Sequence, residues 1–122
     1  MVMGVVCVLL AALSIMEQVS VKRLTDDALA QTHEVMQSVR SGAFDEAIQK
    51  ARALDQMWDA RAVNLEVLVD HGSTDDVRYA LSRLIAALES QDQATAMIYA
   101  SELEGGIEHV YERQELSVQN VL

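Results

Sequence analysis

Apolar residues recur at intervals of three and four along almost the whole of this chain, and no proline interrupts them. That spacing repeats with the helical turn and places the apolar side chains on one face of an α-helix. Ala, Leu, Glu and Gln, which favour helices, are abundant, whereas aromatic residues make up only 4%. A chain of 122 residues can form one domain with a modest core. We therefore predict an all-α fold.

Short breaks divide the apolar stripes into separate helices. Ser41-Gly42 ends the first soluble stripe, since glycine readily adopts the left-handed conformation that terminates helices. A second helix of about 27 residues, roughly 40 Å long, is predicted to start near Phe44. We expect His71-Gly72 to close it. Ser73, followed by Asp76, has the pattern of a capping box and predicts the start of the third helix.

The fourth predicted helix follows a turn at Ser90-Gln91-Asp92. Gly105-Gly106 lies in its middle, at a cost of about 1 kcal/mol per glycine relative to alanine. Such a pair predicts a kink or a close contact with another helix. The chain then ends in an apolar tail, which we expect to dock on the bundle.

The residues before the first soluble stripe form an uncharged apolar run, Val2 to Met16. Its length of about 15 residues is short against the roughly 20 that cross a bilayer as a helix, but Val19 and Val21 extend it. We predict a membrane anchor in residues 2–21. A cleaved signal peptide and a buried core helix are the alternatives. The predicted organisation is an anchor helix at 1–23 and a helical bundle at 24–122, with the anchor continuing into the first soluble helix as one rod.

A shift of 49 positions superimposes the apolar stripe of residues 28–39 on that of residues 77–88. The same shift superimposes residues 47–54 on residues 96–103. Two helical hairpins in tandem would produce this match. Any two pairs of amphipathic helices in heptad phase would produce it equally well, because 49 is a whole number of heptads. The bundle is predicted to hold about four antiparallel helices in either case.

The net charge of −10 argues against nucleic acid as a partner, because phosphate binding needs clustered Lys and Arg and the chain has nine scattered ones. Cys7 is the single cysteine, so no intramolecular disulfide can form. The sequence carries no phosphate loop, zinc-protease motif or nucleophile motif. We therefore expect neither catalytic activity nor a cofactor.

The sharpest chemical hypothesis is a metal site that joins His71 and His109 with Asp75, Asp76 or Glu108. Imidazole and carboxylate ligands from separate helices would suit zinc. The competing interpretation, which we prefer, places His71 against the C-terminal carbonyls of its helix and makes His109 a partly buried polar residue.

Several residues are candidates for contact with a protein partner. Trp58 could anchor a partner, although its place on the second stripe favours core packing. Arg83 is expected to form an ion pair with Asp75, Asp76 or Glu102. The tail supplies three further candidates: Leu116, Val118 and Leu122.

Two stretches resemble known families. The segment GAFDEAIQKA is similar to the turn and second-helix start of a tetratricopeptide repeat over about ten residues. Trp58, the segment DHGSTDD that begins with Asp70 and His71, the segment LSRL with Arg83, and the tail SELEGGIEHVYERQELSVQNVL together resemble DUF4363, a family of domains of unknown function. The second resemblance covers residues 57–122 well.

The DUF4363 resemblance implies a small membrane-anchored helical protein of a Gram-positive spore-forming bacterium, with its helical domain outside the cytoplasm. Two features depart from the family pattern. No basic residue precedes the apolar run, and Gly72-Ser73 replaces more acidic residues. Lys22 and Arg23, which follow the run, would by the positive-inside rule place the domain in the cytoplasm.

These observations lead to one functional expectation and two alternatives. We expect a membrane-anchored structural or protein-interaction module of the cell envelope, with a protein partner there and with self-association open. The first alternative is a small metal-binding or ligand-binding domain that uses His71 and His109. The second is a tetratricopeptide-like peptide binder, which an open groove between the two hairpins would favour.

Overall fold

The computed structural model describes the backbone of residues 2–65 and 71–121, and the side chains of residues 2–13, 15, 20–62 and 74–112. Within these residues the chain is all-helical. The helices are α1 (Val2–Arg40), α2 (Phe44–Leu65), α3 (His71–Glu89) and α4 (Gln93–Val121). The prediction of an all-α fold is confirmed.

The four helices form a closed antiparallel bundle. α1 packs against α2 and α4, and α3 packs against the same two helices, whereas the described parts of the diagonal pairs do not contact each other. Loops of only three residues join α1 to α2 and α3 to α4, which makes each of these pairs an antiparallel hairpin. Because α1 contacts α4, no open groove separates the two hairpins in the described part of the chain.

The two hairpin loops share the hydrogen bonds that end the first helix of each pair. Ala43 N donates to Ser38 O at 2.9 Å, and Asp92 N donates to Ala87 O at 3.1 Å. One residue earlier in each loop, Gly42 and Gln91 adopt left-handed φ angles of 78° and 56°. Both loops are therefore Schellman motifs. The left-handed conformation is sterically unfavourable at Gln91, because this residue carries a Cβ atom. The same conformation costs little free energy at Gly42, which has none.

The 49-residue match extends from the apolar stripes to the loops. The hydrogen bond just given for the first loop has its counterpart 49 positions later. The described part of the chain therefore contains two helical hairpins whose loops begin in the same way.

The core lies along the axis of the bundle, and all four helices supply it. It is built mainly from residues of the predicted stripes, and many of these have no exposed surface. Burial of apolar side chains is the main term that holds such a bundle together. The largest fully buried side chains outside valine are Trp58, Leu54, Leu81, Leu84, Leu88, Leu103 and Ile107.

The predicted boundary between the second and third helices is wrong. α3 begins at His71, so Gly72 and Ser73 are inside the helix and Ser73 cannot be its N-cap. Glycine and serine lower helix stability but do not forbid helical dihedrals, so packing can carry a helix through them. α2 is described to Leu65, and the remainder of the predicted second helix, residues 66–70, lies outside the described residues.

α4 continues as one helix through Gly105-Gly106. A Cβ atom on Gly106 would lie 3.6 Å from Val77 Cγ2 on α3, whereas one on Gly105 would have no neighbour within 4 Å. α4 therefore meets α3 at Gly106 at an ordinary van der Waals distance, and neither glycine of the pair marks an approach too close for alanine. Gly105 faces open space.

α1 is one unbroken helix of 39 residues, as the rod prediction requires. Its buried residues begin at Val21. By the length and apolarity of its described residues, no helix qualifies as able to cross a membrane, so the predicted membrane span is not supported there.

Candidate interaction surfaces

The N-terminal part of α1 is exposed and apolar on all sides. Every described side chain from residue 2 to residue 15 is exposed, including Val2 at 80%, Leu9 at 57% and Ile15 at 61%. An isolated helix in water does not retain an apolar surface all round without a cost in free energy, and such helices are usually buried in protein or lipid. This segment, residues 2–15, is called the apolar overhang below.

The apolar overhang projects beyond the bundle. His33 Nε2 on α1 lies 2.7 Å from Glu104 Oε2 on α4, which sets the register of these antiparallel helices. Counting along both helices from that pair brings Val121, the end of α4, about level with Met16. The residues before Met16 therefore extend about 20 Å past the end of α4.

In the described part of the chain, an ion pair or, between α1 and α4, a hydrogen bond from an imidazole to a carboxyl group joins every neighbouring pair of helices. Most of the charged groups are half exposed, so each pair contributes only about 0–1 kcal/mol, and their main effect is on register. The inter-helix pairs are His33–Glu104 (2.7 Å), Arg61–Asp27 (2.7 Å), Arg52–Glu89 (2.7 Å), Arg78–Asp59 (3.1 Å) and Arg83–Glu102 (4.0 Å).

Polar contacts also close the loop end of the bundle. Gln93 Nε2 on α4 donates to Val39 O on α1 at 2.8 Å and so satisfies a carbonyl at the end of that helix. Lys50 Nζ donates to Ser38 Oγ at 3.1 Å and pairs with Glu46 at 3.0 Å. Lys50 therefore bridges α1 and α2.

Trp58 lies in the core with no exposed surface, which is the position its stripe predicts. It cannot contact a partner in this folded state, so the alternative role as a surface anchor does not fit the structure. Its indole Nε1 has no hydrogen-bond partner among the described atoms. A buried donor without a partner costs on the order of 1–3 kcal/mol, which the packing of the large ring offsets.

The residues of the metal hypothesis are only partly described. The His71 side chain lies outside the described residues, as do those of Leu116, Val118 and Leu122. Asp75 Oδ1 lies 3.8 Å from Arg78 Nη1, and Asp76 and His109 are exposed. In the described part of the chain no three His, Cys, Asp or Glu side chains are grouped to hold a metal ion.

Two carboxyl groups have shifted pKa values for opposite reasons. Partial burial raises the pKa of Asp55, the nearby Asp59 carboxylate raises it further, and Arg78 acts in the opposite direction. Asp92 is the N-cap of α4: its Oδ2 accepts a hydrogen bond from Thr95 Oγ1 at 2.7 Å and its Oδ1 accepts one from Thr95 N at 3.1 Å. These two bonds favour the carboxylate and lower the pKa of Asp92.

An open groove of about 240 Å³ follows the α3–α4 hairpin. Arg83, Ala86 and Tyr99 are among the residues that line it. Tyr79, exposed at 60%, shares a stripe of α3 with Arg83 and Ala86, which follow it by four and seven residues. Ile98, exposed at 58%, shares a stripe of α4 with Glu102 and Gly105 at the same spacing. Neither Tyr79 nor Ile98 was identified from the sequence. Both are large apolar residues outside the buried stripes of their helices, and that position is the signal that could have identified them.

The fold and its surfaces define a small acidic all-α protein, a two-hairpin bundle whose first helix extends into an apolar overhang. The family model described as Domain of unknown function (DUF4363) matches residues 15–121, and the chain belongs to this family. No curated protein and no solved structure matches the chain significantly. The match begins at Ile15, so it covers the bundle and leaves almost all of the apolar overhang outside it.

Proposed function

We propose that this protein is a membrane-tethered interaction module of the cell envelope. In this proposal the apolar overhang embeds in a bilayer, and the bundle is presented at the membrane surface. One observation carries the proposal: α1 is a single helix that is apolar and exposed at one end and part of the bundle core at the other. Burial of the overhang in lipid would remove the exposed apolar surface from water.

The charge distribution is consistent with this arrangement. No Asp, Glu, Lys or Arg occurs between Val2 and Met16. Glu17 is the first charged residue after the overhang, and Lys22 and Arg23 follow where α1 enters the bundle. Both side chains are exposed, which suits the level of the lipid headgroups. Since the chain carries a net charge of −10, apolar burial must drive the association, and anionic lipid should not strengthen it.

We also propose that the bundle lies outside the cytoplasm of a Gram-positive spore-forming bacterium, which is the location that the resemblance to the family implies. Intact cells that express the chain should lose the bundle when trypsin is added outside. Protection in intact cells, with cleavage only after lysis, would place the bundle in the cytoplasm instead, as the positive-inside rule predicts for Lys22 and Arg23.

Vesicle flotation tests the tether. The full-length chain should float with neutral phosphatidylcholine vesicles, because the overhang buries its apolar surface in lipid. A variant with Leu9→Lys and Leu13→Lys should remain at the bottom of the gradient, since a lysine near the bilayer centre costs about 2.5–3.5 kcal/mol.

A matched control keeps the flotation result interpretable. Ala30→Lys together with Ala53→Lys adds the same two charges at exposed positions of the first hairpin, and this variant should float like the parent. If the parent chain stays at the bottom as a folded protein, or if both lysine variants float equally well, the tether is disproved.

The two alternative functions have no comparable support. Described side chains do not form a metal cluster, and α1 closes the bundle against α4 where a tetratricopeptide-like binder would need an open groove. The proposal therefore assigns recognition to the outer faces of the bundle.

A further inference from the structure

The two hairpins have equivalent backbones but different outer faces. On the second hairpin, Tyr79 and Ile98 are two of the three exposed large apolar residues of the described bundle body. At the equivalent positions, 49 residues earlier, the first hairpin has Ala30 and Gln49. The surface that differs is called the α3–α4 face, and its residues are Tyr79, Arg83, Ala86, Ile98, Glu102 and Gly105.

The α3–α4 face carries one charge of each sign. Arg83 Nη1 and Glu102 Oε2 lie 4.0 Å apart, and their side chains are 57% and 50% exposed. The arginines that join the other helices reach their carboxylates at 2.7–3.1 Å. The Arg83–Glu102 pair is the loosest of these, and both groups face outward, so each can bond to a group on another molecule.

The large and small residues of the face alternate across the two helices. Arg83 and Glu102 are level with each other, and the helices are antiparallel. Tyr79 lies about 6 Å from that level along α3, which brings it level with Gly105 and Gly106. Ile98 lies about 6 Å in the other direction along α4 and is level with Ala86 and its neighbour.

The α3–α4 faces of two copies of the chain are complementary when the copies are related by a two-fold axis parallel to the long axis of the bundle. Such an axis places α3 of one chain against α4 of the other at the same level. Arg83 would then face the second chain's Glu102, Tyr79 would face its Gly105, and Ile98 would face its Ala86. We propose that the α3–α4 face is the interface of a parallel homodimer of this chain.

Two features of the chain favour a second copy of the chain as the partner at this face. Gly105 costs α4 about 1 kcal/mol relative to alanine, and no described atom beyond its chain neighbours and the backbone of its own helix lies within 4 Å of where its Cβ would be. The second chain's Tyr79 would occupy that space. A parallel dimer also keeps both apolar overhangs at the same end, which is the geometry that two chains in one membrane require. Only this last point rests on the proposed function.

Mixing two charge variants tests the interface in the full-length chain in detergent micelles. Arg83→Glu gives acidic groups at both positions of the pair, and Glu102→Arg gives basic groups at both. Each variant alone should self-associate at least about tenfold more weakly than the parent, because like charges face each other across the two-fold axis. Differently tagged samples of the two variants, once mixed, should form a heterodimer.

The mixing result separates contact between chains from contact within one chain. An intrachain pair is broken in both variants and cannot be restored by mixing. Monomeric parent protein, or variants that associate as strongly as the parent, would overturn the proposal. Flotation is scored separately on the same samples, so a failed dimer and a failed tether give different results.

A bulky residue at Gly105 gives a second test that does not depend on charge. Gly105→Leu should leave the monomer folded, since nothing lies within 4 Å of the new Cβ, and should abolish the dimer by displacing Tyr79. Gln56→Leu, at the equivalent exposed position of the first hairpin, should leave the dimer intact. Molar mass by light scattering and helicity by circular dichroism measure both outcomes. A dimeric Gly105→Leu variant would exclude this face.

Discussion

The negative charge of Asp55 lowers the stability of the folded state. Its pKa is raised from 3.8 by partial burial and by the Asp59 carboxylate one turn away. The folded state therefore holds this proton more tightly than the unfolded chain does. Below the unfolded pKa the group is protonated in both states, and its cost to the folded state appears as pH rises through the folded pKa.

Asp55→Asn should therefore stabilise the protein at pH 7. We expect a gain of roughly 0.2–0.5 kcal/mol in the free energy of unfolding, the usual size of a like-charge pair one turn apart on a helix. The gain should vanish near pH 3. Urea denaturation at the two pH values measures both quantities. Asp59→Asn should have the opposite sign at pH 7, because Asp59 lies 3.1 Å from Arg78. A variant at position 55 that is less stable at pH 7 would contradict this account.

Residue-scale prediction from the sequence succeeded where a side chain follows a periodic pattern. Trp58 was expected in the core from its stripe and is fully buried there. Arg83 pairs with Glu102, one of the three carboxylates considered. The unpaired indole of Trp58, the raised pKa of Asp55 and the exposed Tyr79 follow from which helices become neighbours, and spacing within one helix carries no such information.

The hairpin is the element that the chain uses twice, and the two copies differ at the helix N-cap. Asp92 caps α4 through two hydrogen bonds with Thr95, whereas its equivalent before α2 is Ala43, which has no side-chain acceptor. The backbone around both residues is the same, since Ala47 N donates to Ala43 O and Ala96 N donates to Asp92 O, each at 2.9 Å.

Ala43→Asp should therefore stabilise the protein by about 0.5–2 kcal/mol, the usual gain from an acidic N-cap over alanine. Asp92→Ala should destabilise it. The pKa of Asp92 is lowered in the folded state, so its contribution is present above the unfolded pKa and is lost as pH falls through the folded pKa. Thermal unfolding of both variants at pH 7 and pH 3 checks this. The equivalence of the two loops would be wrong if Ala43→Asp lowered the melting temperature.

Element boundaries were predicted where the breaking residue has its own conformational reason. Gly42 has a left-handed φ angle and ends α1 where the sequence indicates. The turn at residues 90–92 was also predicted correctly. Gln91 in that turn has a left-handed φ angle, which is unfavourable for a residue with a Cβ atom. Gly72 and Ser73 were misread, because both residues also occur inside helices when packing favours it, and α3 begins at His71.

At the scale of the molecule, the sequence predicted the all-helical class, the two hairpins and the continuous first helix. It could not predict the closed ring of four helices, since contact between α1 and α4 depends on how hairpins pack and not on the pattern within either one. The family match supports the bundle and leaves the role of the apolar overhang to experiment.

In the proposed arrangement, α1 is one helix with its first part in lipid and its last part in the bundle core. Cys7 is exposed, lies within the apolar overhang and is the single cysteine, so a nitroxide label can be attached to it without mutation. Collision with oxygen, which concentrates in lipid, and with a water-soluble nickel complex reports the depth of that label in vesicles.

For the chain reconstituted in phosphatidylcholine vesicles, the label on Cys7 should collide readily with oxygen and rarely with the nickel complex. The same label on Cys7→Ser with Ser82→Cys, an exposed position on α3, should show the reverse. A label on Cys7 that collides with the nickel complex as often as the label at position 82 would contradict the tether.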